Sequence, residues 1–195
     1  MDQLADFRHT MESCNHCGQC KWLLGPKTRG YDFAEICPIH MQFHFDAYSG
    51  QGLLHIGQEL LNGELQHDPG LRDLVYSCTT CGACDVNCKS IRDMEVLDTI
   101  LALRARLVED GAGPMPQHAR MAEAVARTHN IYGRPHEGRA AWADGPAAAP
   151  QRKPATPPVA YFAGCAASYQ RPDIARNTVR ILEAAGIEYS VLGAD

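Results

Sequence analysis

The sequence predicts a mainly α chain: a helical first part, a Pro/Ala-rich linker, and a truncated α/β segment that runs strand, helix, strand. Three observations carry this prediction. Apolar residues recur at helical spacing through Leu53, Leu54, Leu60 and Leu61, and again through Met94, Leu97, Ile100, Leu101 and Leu107. Proline and alanine crowd the stretch 145–158. After Val159 the pattern changes to short apolar runs on either side of one amphipathic helix.

These changes divide the chain at 1–112, 113–158 and 159–195. In the first part, Gln51 to Leu61 is expected to be helical, and Asn62-Gly63 is a helix stop. Pro69 suits the first turn of a short helix running to Tyr76. Ser90 and Asp93 resemble a capping box, which predicts a helix from Ser90 to Gly111. Almost no strand is expected before residue 113.

The middle part opens with a helix predicted over Gln117 to Thr128. From Gly145-Pro-Ala-Ala-Ala-Pro150 through Pro154, Pro157 and Pro158 it reads as a linker, because proline fixes φ and removes backbone donors. In the last part, Val159-Ala-Tyr-Phe-Ala163 reads as a buried strand, Ile174 to Ala185 as a helix closed by Gly186, and Ile187 to Leu192 as a second strand. That order implies a parallel pair. Gly164 and Cys165 then fall at the carboxyl end of the first strand, where such folds place their chemistry.

The composition is that of a globular protein: of 195 residues, 45% are hydrophobic and 21% charged, with a formal net charge of -5. No basic stripe marks a nucleic-acid surface, so no nucleic-acid partner is expected. Arg104, Arg106 and Arg120 sit among acids and read as solvated helix faces. The first ten residues lack the apolar segment of a signal peptide, and no apolar run is long enough to span a membrane. The expectation is a cytoplasmic chain, soluble or peripherally associated with the inner face of the membrane.

The unusual feature is nine cysteines, eight of them in two tight groups. The first is Cys14-x-x-Cys17-x-x-Cys20 followed by Cys37-Pro38. The second is Cys78-x-x-Cys81-x-x-Cys84-x-x-x-Cys88. A disulfide framework requires an oxidising compartment and wider spacings. Structural zinc needs four ligands, commonly as two Cys-x-x-Cys pairs, so a third cysteine two residues after each pair is superfluous for zinc. It is what a 4Fe–4S cube needs. The pattern therefore predicts a helical two-cluster ferredoxin-like domain over 1–112. In two-cluster ferredoxins the distal cysteine of each run ligates the other run's cluster. By that logic Cys14, Cys17, Cys20 and Cys88 hold one cluster, and Cys78, Cys81, Cys84 and Cys37 the other.

Gly18 and Gly82 follow the second cysteine of each motif and permit close backbone approach. Pro38 after Cys37 fits the ferredoxin pattern, whereas Lys89 after Cys88 departs from it. Sixteen residues, Lys21 to Ile36, separate Cys20 from Cys37. Trp22, Leu23, Leu24, Tyr31 and Phe33 within them are expected to cover a cluster, with a docking surface for a redox partner as the alternative. His16 lies inside the first motif, where the ligand count is already complete. His40 and His44 are four apart but have no third ligand or His-Glu-x-x-His pattern beside them. No arrangement of Asp, Glu and Ser suggests hydrolysis, and no glycine fingerprint for a nucleotide is present, since Pro114 interrupts Gly111-Ala-Gly113.

Taken with the loop Tyr48-Ser-Gly-Gln-Gly-Leu53 and the tail Tyr161-Phe-Ala-Gly-Cys-Ala-Ala-Ser-Tyr169, the paired motifs resemble the heterodisulfide-reductase-like iron–sulfur proteins. The order is that of the fused type, a helical two-cluster part followed by a cysteine-rich "CCG" part. The resemblance implies an electron-relay subunit, without a complete active site of its own, that passes single electrons through two 4Fe–4S clusters. It implies a flavoprotein or another iron–sulfur redox subunit as partner, in a complex that can be membrane-associated. It also implies that Cys165 is one ligand of a noncubane 4Fe–4S cluster. The adjacent cysteine pair that completes such a site does not occur in this sequence, so the chain reads as the N-terminal portion of a longer polypeptide. An ordinary buried thiol is the alternative for Cys165. The iron–sulfur subunit of a glycolate, lactate or glycerol-3-phosphate dehydrogenase complex resembles the same layout, and a zinc-stabilised interaction module is the remaining alternative from another class.

Overall fold

The computed structural model describes residues 3–23, 29–143 and 158–192. The chain forms two compact units, Met1–Met115 and Pro116–Asp195. Leu24, expected to cover a cluster, and the linker run except Pro158 lie outside the described residues.

The first unit is helical. Its elements are α1 (Arg8–Glu12), α2 (Pro38–Phe43), α3 (Gly50–Asn62), α4 (Pro69–Ser77), α5 (Ala83–Arg92) and α6 (Val96–Glu109). Its one β feature among the described residues is an isolated bridge, Trp22 to Glu35. Helix α3 begins where the Ser49 hydroxyl accepts from the Gly52 amide, and it ends at Gly63 with φ 77°. Helix α4 begins on Asp68, whose carboxylate accepts from the Leu71 amide, with Pro69 at the first position.

The helix predicted from Ser90 is instead two helices. Ser90 lies inside α5, where its hydroxyl donates to the Asn87 carbonyl. The chain turns at Asp93, which adopts a left-handed conformation with φ 56°. Helix α6 then starts at Val96, with the buried Asp85 carboxylate of α5 accepting from the Leu97 amide at 2.9 Å. The residue that caps α6 therefore lies twelve positions upstream of Leu97, beyond the reach of any local sequence signal.

Helices α3 and α6 pack face to face and supply most of the core. Leu53, Leu54, Ile56 and Leu60 meet Val96, Ile100, Leu103 and Leu107, with Leu4, Met11, Val75 and Met94 closing the ends. Burial of this apolar stripe is the main stabilising term for the unit.

The second unit contains α7 (Pro116–Thr128), a 3-10 helix (His136–Ala143), β1 (Val159–Tyr161), α8 (Gly164–Tyr169), α9 (Pro172–Ala184) and β2 (Tyr189–Val191). β1 and β2 pair in parallel, Val159 with Tyr189 and Tyr161 with Val191. The chain is thus mainly α with one short parallel pair. β1 is half-buried rather than buried, since a two-stranded sheet leaves its open face to solvent. The short helix α8, which no periodicity announced, packs with α9 against Trp142; Ala167, Ala175 and Val179 form that core. Asn130, 1% exposed, ties the turn after α7. It accepts from the Tyr132 and Arg134 amides and donates to the Thr128 and Arg134 carbonyls.

Candidate metal centre

The two cysteine loops share left-handed backbone at two matching positions. Cys14 to Cys20 carries left-handed residues at His16 (φ 55°) and Gly18 (φ 78°), and Cys78 to Cys84 carries them at the matching positions, Thr80 (φ 53°) and Gly82 (φ 76°). Alternating handedness curls each loop so that its three thiols share one concave side. Glycine takes this conformation freely, whereas His16 and Thr80 adopt it against their intrinsic preference.

No disulfide joins any of the nine cysteines. Eight of them line two adjoining cavities in the first unit. One cavity, of about 370 Å³ with its open mouth, is lined by Cys37, Cys78, Cys81 and Cys84, with Ile39, Leu97 and Ile100 as apolar wall. The other, of about 250 Å³, is lined by Cys14, Cys17, Cys20 and Cys88, with Leu54 and Val96. Cys20 and Gly50 line both. In each loop the middle cysteine, Cys17 or Cys81, is exposed, so each cavity meets solvent at an equivalent point. Cys165 lies outside this arrangement, half-buried in the first turn of α8 after Gly164 (φ 73°). It is the one cysteine of the second unit's sequence.

Helices place the distal thiols. Cys37 is the residue from which α2 starts, and its thiol donates to the Tyr48 carbonyl at 3.8 Å. Cys84 and Cys88 are one turn apart on α5 yet line different cavities. Asn87, buried between them, donates to the Gln19 carbonyl at 2.5 Å and ties α5 to the first loop. Asp85 ties the same helix to α6 and also pairs with Lys89 at 3.1 Å. Lys89, the departure from the ferredoxin pattern, thus serves an ion pair with Asp85 and Glu95.

The donor set suits a cationic metal core. Burial raises the thiols of Cys20 and Cys37 above the ordinary range. Burial, then the neighbouring thiols led by Cys78, pushes Cys84 up to about 12. Burial, then the thiols led by Cys20, pushes Cys88 up to about 11. Positive charge from a bound metal would offset both the burial and the mutual repulsion and so favour the thiolate form. Two amides already face sulfur: Gln51 N–H donates to Cys20 Sγ at 3.3 Å and Thr80 N–H to Cys78 Sγ at 3.4 Å. Among the described residues no three His, Cys, Asp or Glu side chains converge closely enough for a single ion. The cysteines surround spaces instead of crowding on points.

Arg104 was expected on a solvated face, but it is a clamp. From α6 its guanidinium donates to the carbonyls of Val75 at 3.3 Å, Tyr76 at 3.5 Å and Cys78, and lies 4.9 Å from the Tyr76 ring centre. It therefore fixes the end of α4 from which the second cysteine loop departs. The expected aromatic cover is also corrected. Tyr31 is 91% and Phe33 76% exposed, because the 3-10 turn carrying them stands away from the core; Trp22 is 42% exposed and meets His40 edge-on. Lys21, nearly buried, pairs with Asp46 at 2.5 Å, and this hydrogen bond holds the Asp46 carboxyl below its usual range. His16 lies edge-on to His55.

Comparison with known proteins agrees with this geometry. Residues 10–90 match the 4Fe–4S dicluster domain family. A subunit of the dihydromethanophenazine:CoB–CoM heterodisulfide reductase of Methanosarcina acetivorans is 31% identical over 193 residues, 95% of this chain and 44% of that relative. The corresponding subunit of the Methanosarcina mazei enzyme is 29% identical over 192 residues, again 95% of this chain and 44% of the relative. A subunit of the fumarate reductase (CoM/CoB) of Methanothermobacter marburgensis is 30% identical over 123 residues, 63% of this chain and 23% of the relative. No solved structure matches the chain. The fold and the cysteine cavities define an iron–sulfur protein that carries a 4Fe–4S dicluster domain. Over 95% of its length the chain is similar to these heterodisulfide reductase subunits, and it spans less than half the length of those relatives. No described helix is long and apolar enough to cross a membrane.

Proposed function

We propose that this chain is the electron-relay portion of a heterodisulfide-reductase-like complex, with Cys14, Cys17, Cys20 and Cys88 as ligands of one 4Fe–4S cluster and Cys37, Cys78, Cys81 and Cys84 as ligands of the other. The crossed grouping carries the reading: each loop's three cysteines share a cavity with the fourth cysteine of the other segment. Cys20 also reaches the second cavity, but it completes the left-handed loop of the first, which supports its place there. A bound cluster supplies a one-electron couple whose potential depends on burial, charge and hydrogen bonds to sulfur.

The chain's residues act on that potential in three ways. Leu54, Val96, Leu97 and Ile100 exclude water. The amides of Gln51 and Thr80 donate to sulfur and stabilise added negative charge. Asp85, Asn87 and Arg104 hold the ligand-bearing segments in register. A flavoprotein or another iron–sulfur subunit is the partner this reading requires. Cys165, at the carboxyl end of β1, supplies one ligand of a noncubane centre whose remaining ligands a longer form of the chain would provide.

The test is ligand replacement in anaerobically purified protein. About eight irons per chain and broad absorption near ~400 nm are expected. Cys81→Ser and Cys37→Ser should abolish the same paramagnetic signal, and Cys17→Ser and Cys88→Ser the other. If Cys37→Ser removed the signal that Cys17→Ser removes, the crossed assignment would be wrong.

A further inference from the structure

Where α3 begins, the chain reaches both cavities without a side chain. Ser49-Gly50-Gln51 forms the first turn of α3, and Gly50 lines both cavities. A Cβ at this position would lie 3.0 Å from Cys84 Cβ, 3.1 Å from Cys20 Cβ and 3.3 Å from Val96 Cγ1. Cys20 and Cys84 are the third cysteines of their respective loops. The two tightest contacts are thus Cβ atoms rooted to the backbone, with no flexible end to swing away. The next residue's amide is the one that donates to Cys20 Sγ. Gly50 needs no unusual backbone angle, since it is helical and its φ is not in the left-handed region. What a side chain here would disturb is space alone, since Cys20, Cys84 and Val96 would each have to give by a few tenths of an ångström.

We infer that Gly50 is a positioning residue for both clusters at once: its bare Cα lets the start of α3 lie against Cys20 and Cys84 together, setting the approach of the two cluster sites and the Gln51 amide bond to sulfur. This rests on the proposed ligand sets. It adds that one methyl group, on a residue that is itself no ligand, perturbs two centres simultaneously. A ligand replacement strikes one of them first.

The experiment uses the full chain, loaded anaerobically, and reads iron content, the potential of each cluster by redox-titrated electron paramagnetic resonance, their spin–spin interaction and thermal unfolding. A wild type without cluster iron would end the ligand reading itself, whatever the variants do. With a loaded wild type, Gly50→Ala is expected to shift both midpoint potentials and to change the spin–spin interaction. The Cys20-side potential should move to more negative values as the Gln51 amide is displaced from sulfur. Gly57→Ala is the control. It lies on the same helix and lines neither cavity, and its Cβ would meet the flexible Met11 side chain, 2.7 Å from Sδ. It should lower thermal stability and leave both potentials in place. Potentials unchanged in Gly50→Ala, a shift confined to one cluster, or shifts no larger than in Gly57→Ala would each overturn the inference. Should Gly50→Ala not fold, Gly50→Ala/Val96→Ala, which vacates one of the three contacts, is read in the same way. If that too gives no folded, loaded chain while Gly57→Ala does, Gly50 serves the fold and not the clusters, and the inference falls.

Discussion

Replacing Arg104 with methionine tests how the second cysteine loop is held. Methionine keeps the apolar stem and removes the fork. The side chain gives up hydrogen bonds to the carbonyls of Val75 and Cys78, a longer one to Tyr76, and the stacking on Tyr76. Hydrogen bonds to a charged donor contribute about 1.5–3 kcal/mol, and a half-buried cation–π contact about 1 kcal/mol. The side chain is half-buried and Val75 fully so, so water replaces these bonds incompletely and a loss of about 3 kcal/mol is expected. Unfolding with loss of a metal cluster is not a two-state equilibrium, so the assay is kinetic. Iron release to a chelator that proceeds through local opening should accelerate roughly 100-fold, because each ~1.4 kcal/mol is a factor of ten. The acceleration should concern the cluster assigned to Cys78, Cys81, Cys84 and Cys37, followed by its own paramagnetic signal. Arg104→Lys, with a point charge in place of a fork, should fall between. Release within twofold of wild type, or equal acceleration for both clusters, would refute the clamp.

Asn87→Ala should loosen the first loop, because the Gln19 carbonyl loses its buried donor; a cost of about 1–2 kcal/mol is expected, read as faster iron loss from the Cys14-side cluster. Asp85→Asn should weaken the cap on α6 and leave Lys89 with Glu95 alone, a loss of about 1 kcal/mol read as roughly fivefold faster iron release. Asp110→Asn should show a pH signature. Burial alone would raise this carboxyl, but hydrogen bonds from Arg106 at 2.6 Å and His67 at 2.7 Å outweigh it and hold the pKa below its ordinary value of 3.8. A depressed folded pKa contributes stability above the unfolded value and loses it as pH falls through the folded one. The wild-type advantage, on the order of 1 kcal/mol, should therefore be full at pH 7 and close only below about pH 4, measured as the difference in thermal midpoint.

The cysteine loops were legible because their chemistry is local. Spacing picked out the eight cysteines that line the two cavities, and Gly18 and Gly82 were read as places of close backbone approach, which they reach in a left-handed conformation. His16 and Thr80 adopt the same conformation and gave no sign of it, since neither type favours it. The end of α3 and the start of α4 followed from Gly63 and Pro69, each acting within one turn, whereas the Ser49 and Asp68 caps were found only in the structure. The break between α5 and α6 did not follow, because the group that caps α6 arrives from the preceding helix. Arg104 was misread for a related reason: a charge amid helical acids looks solvated unless one knows which helix end lies opposite. Tyr31 and Phe33 show the converse error. Apolar residues near a candidate cluster suggest cover, and the turn that bears them faces outward.

Helix α5 shows why the two sites belong to one folding unit. Cys84 and Cys88 are four residues apart, about 6 Å along the helix axis, and they face different cavities. A rotation or slide of α5 cannot improve one site without moving a thiol of the other. The polar residues between them remove that freedom, Asp85 by its bond to the Leu97 amide and Asn87 by its bond to the Gln19 carbonyl. Under the proposed ligand sets each cluster also joins segments far apart in sequence, so metal binding free energy becomes folding free energy for the whole first unit. Extracting one cluster should then loosen the residues that hold the other, which a pair of independent sites would not do.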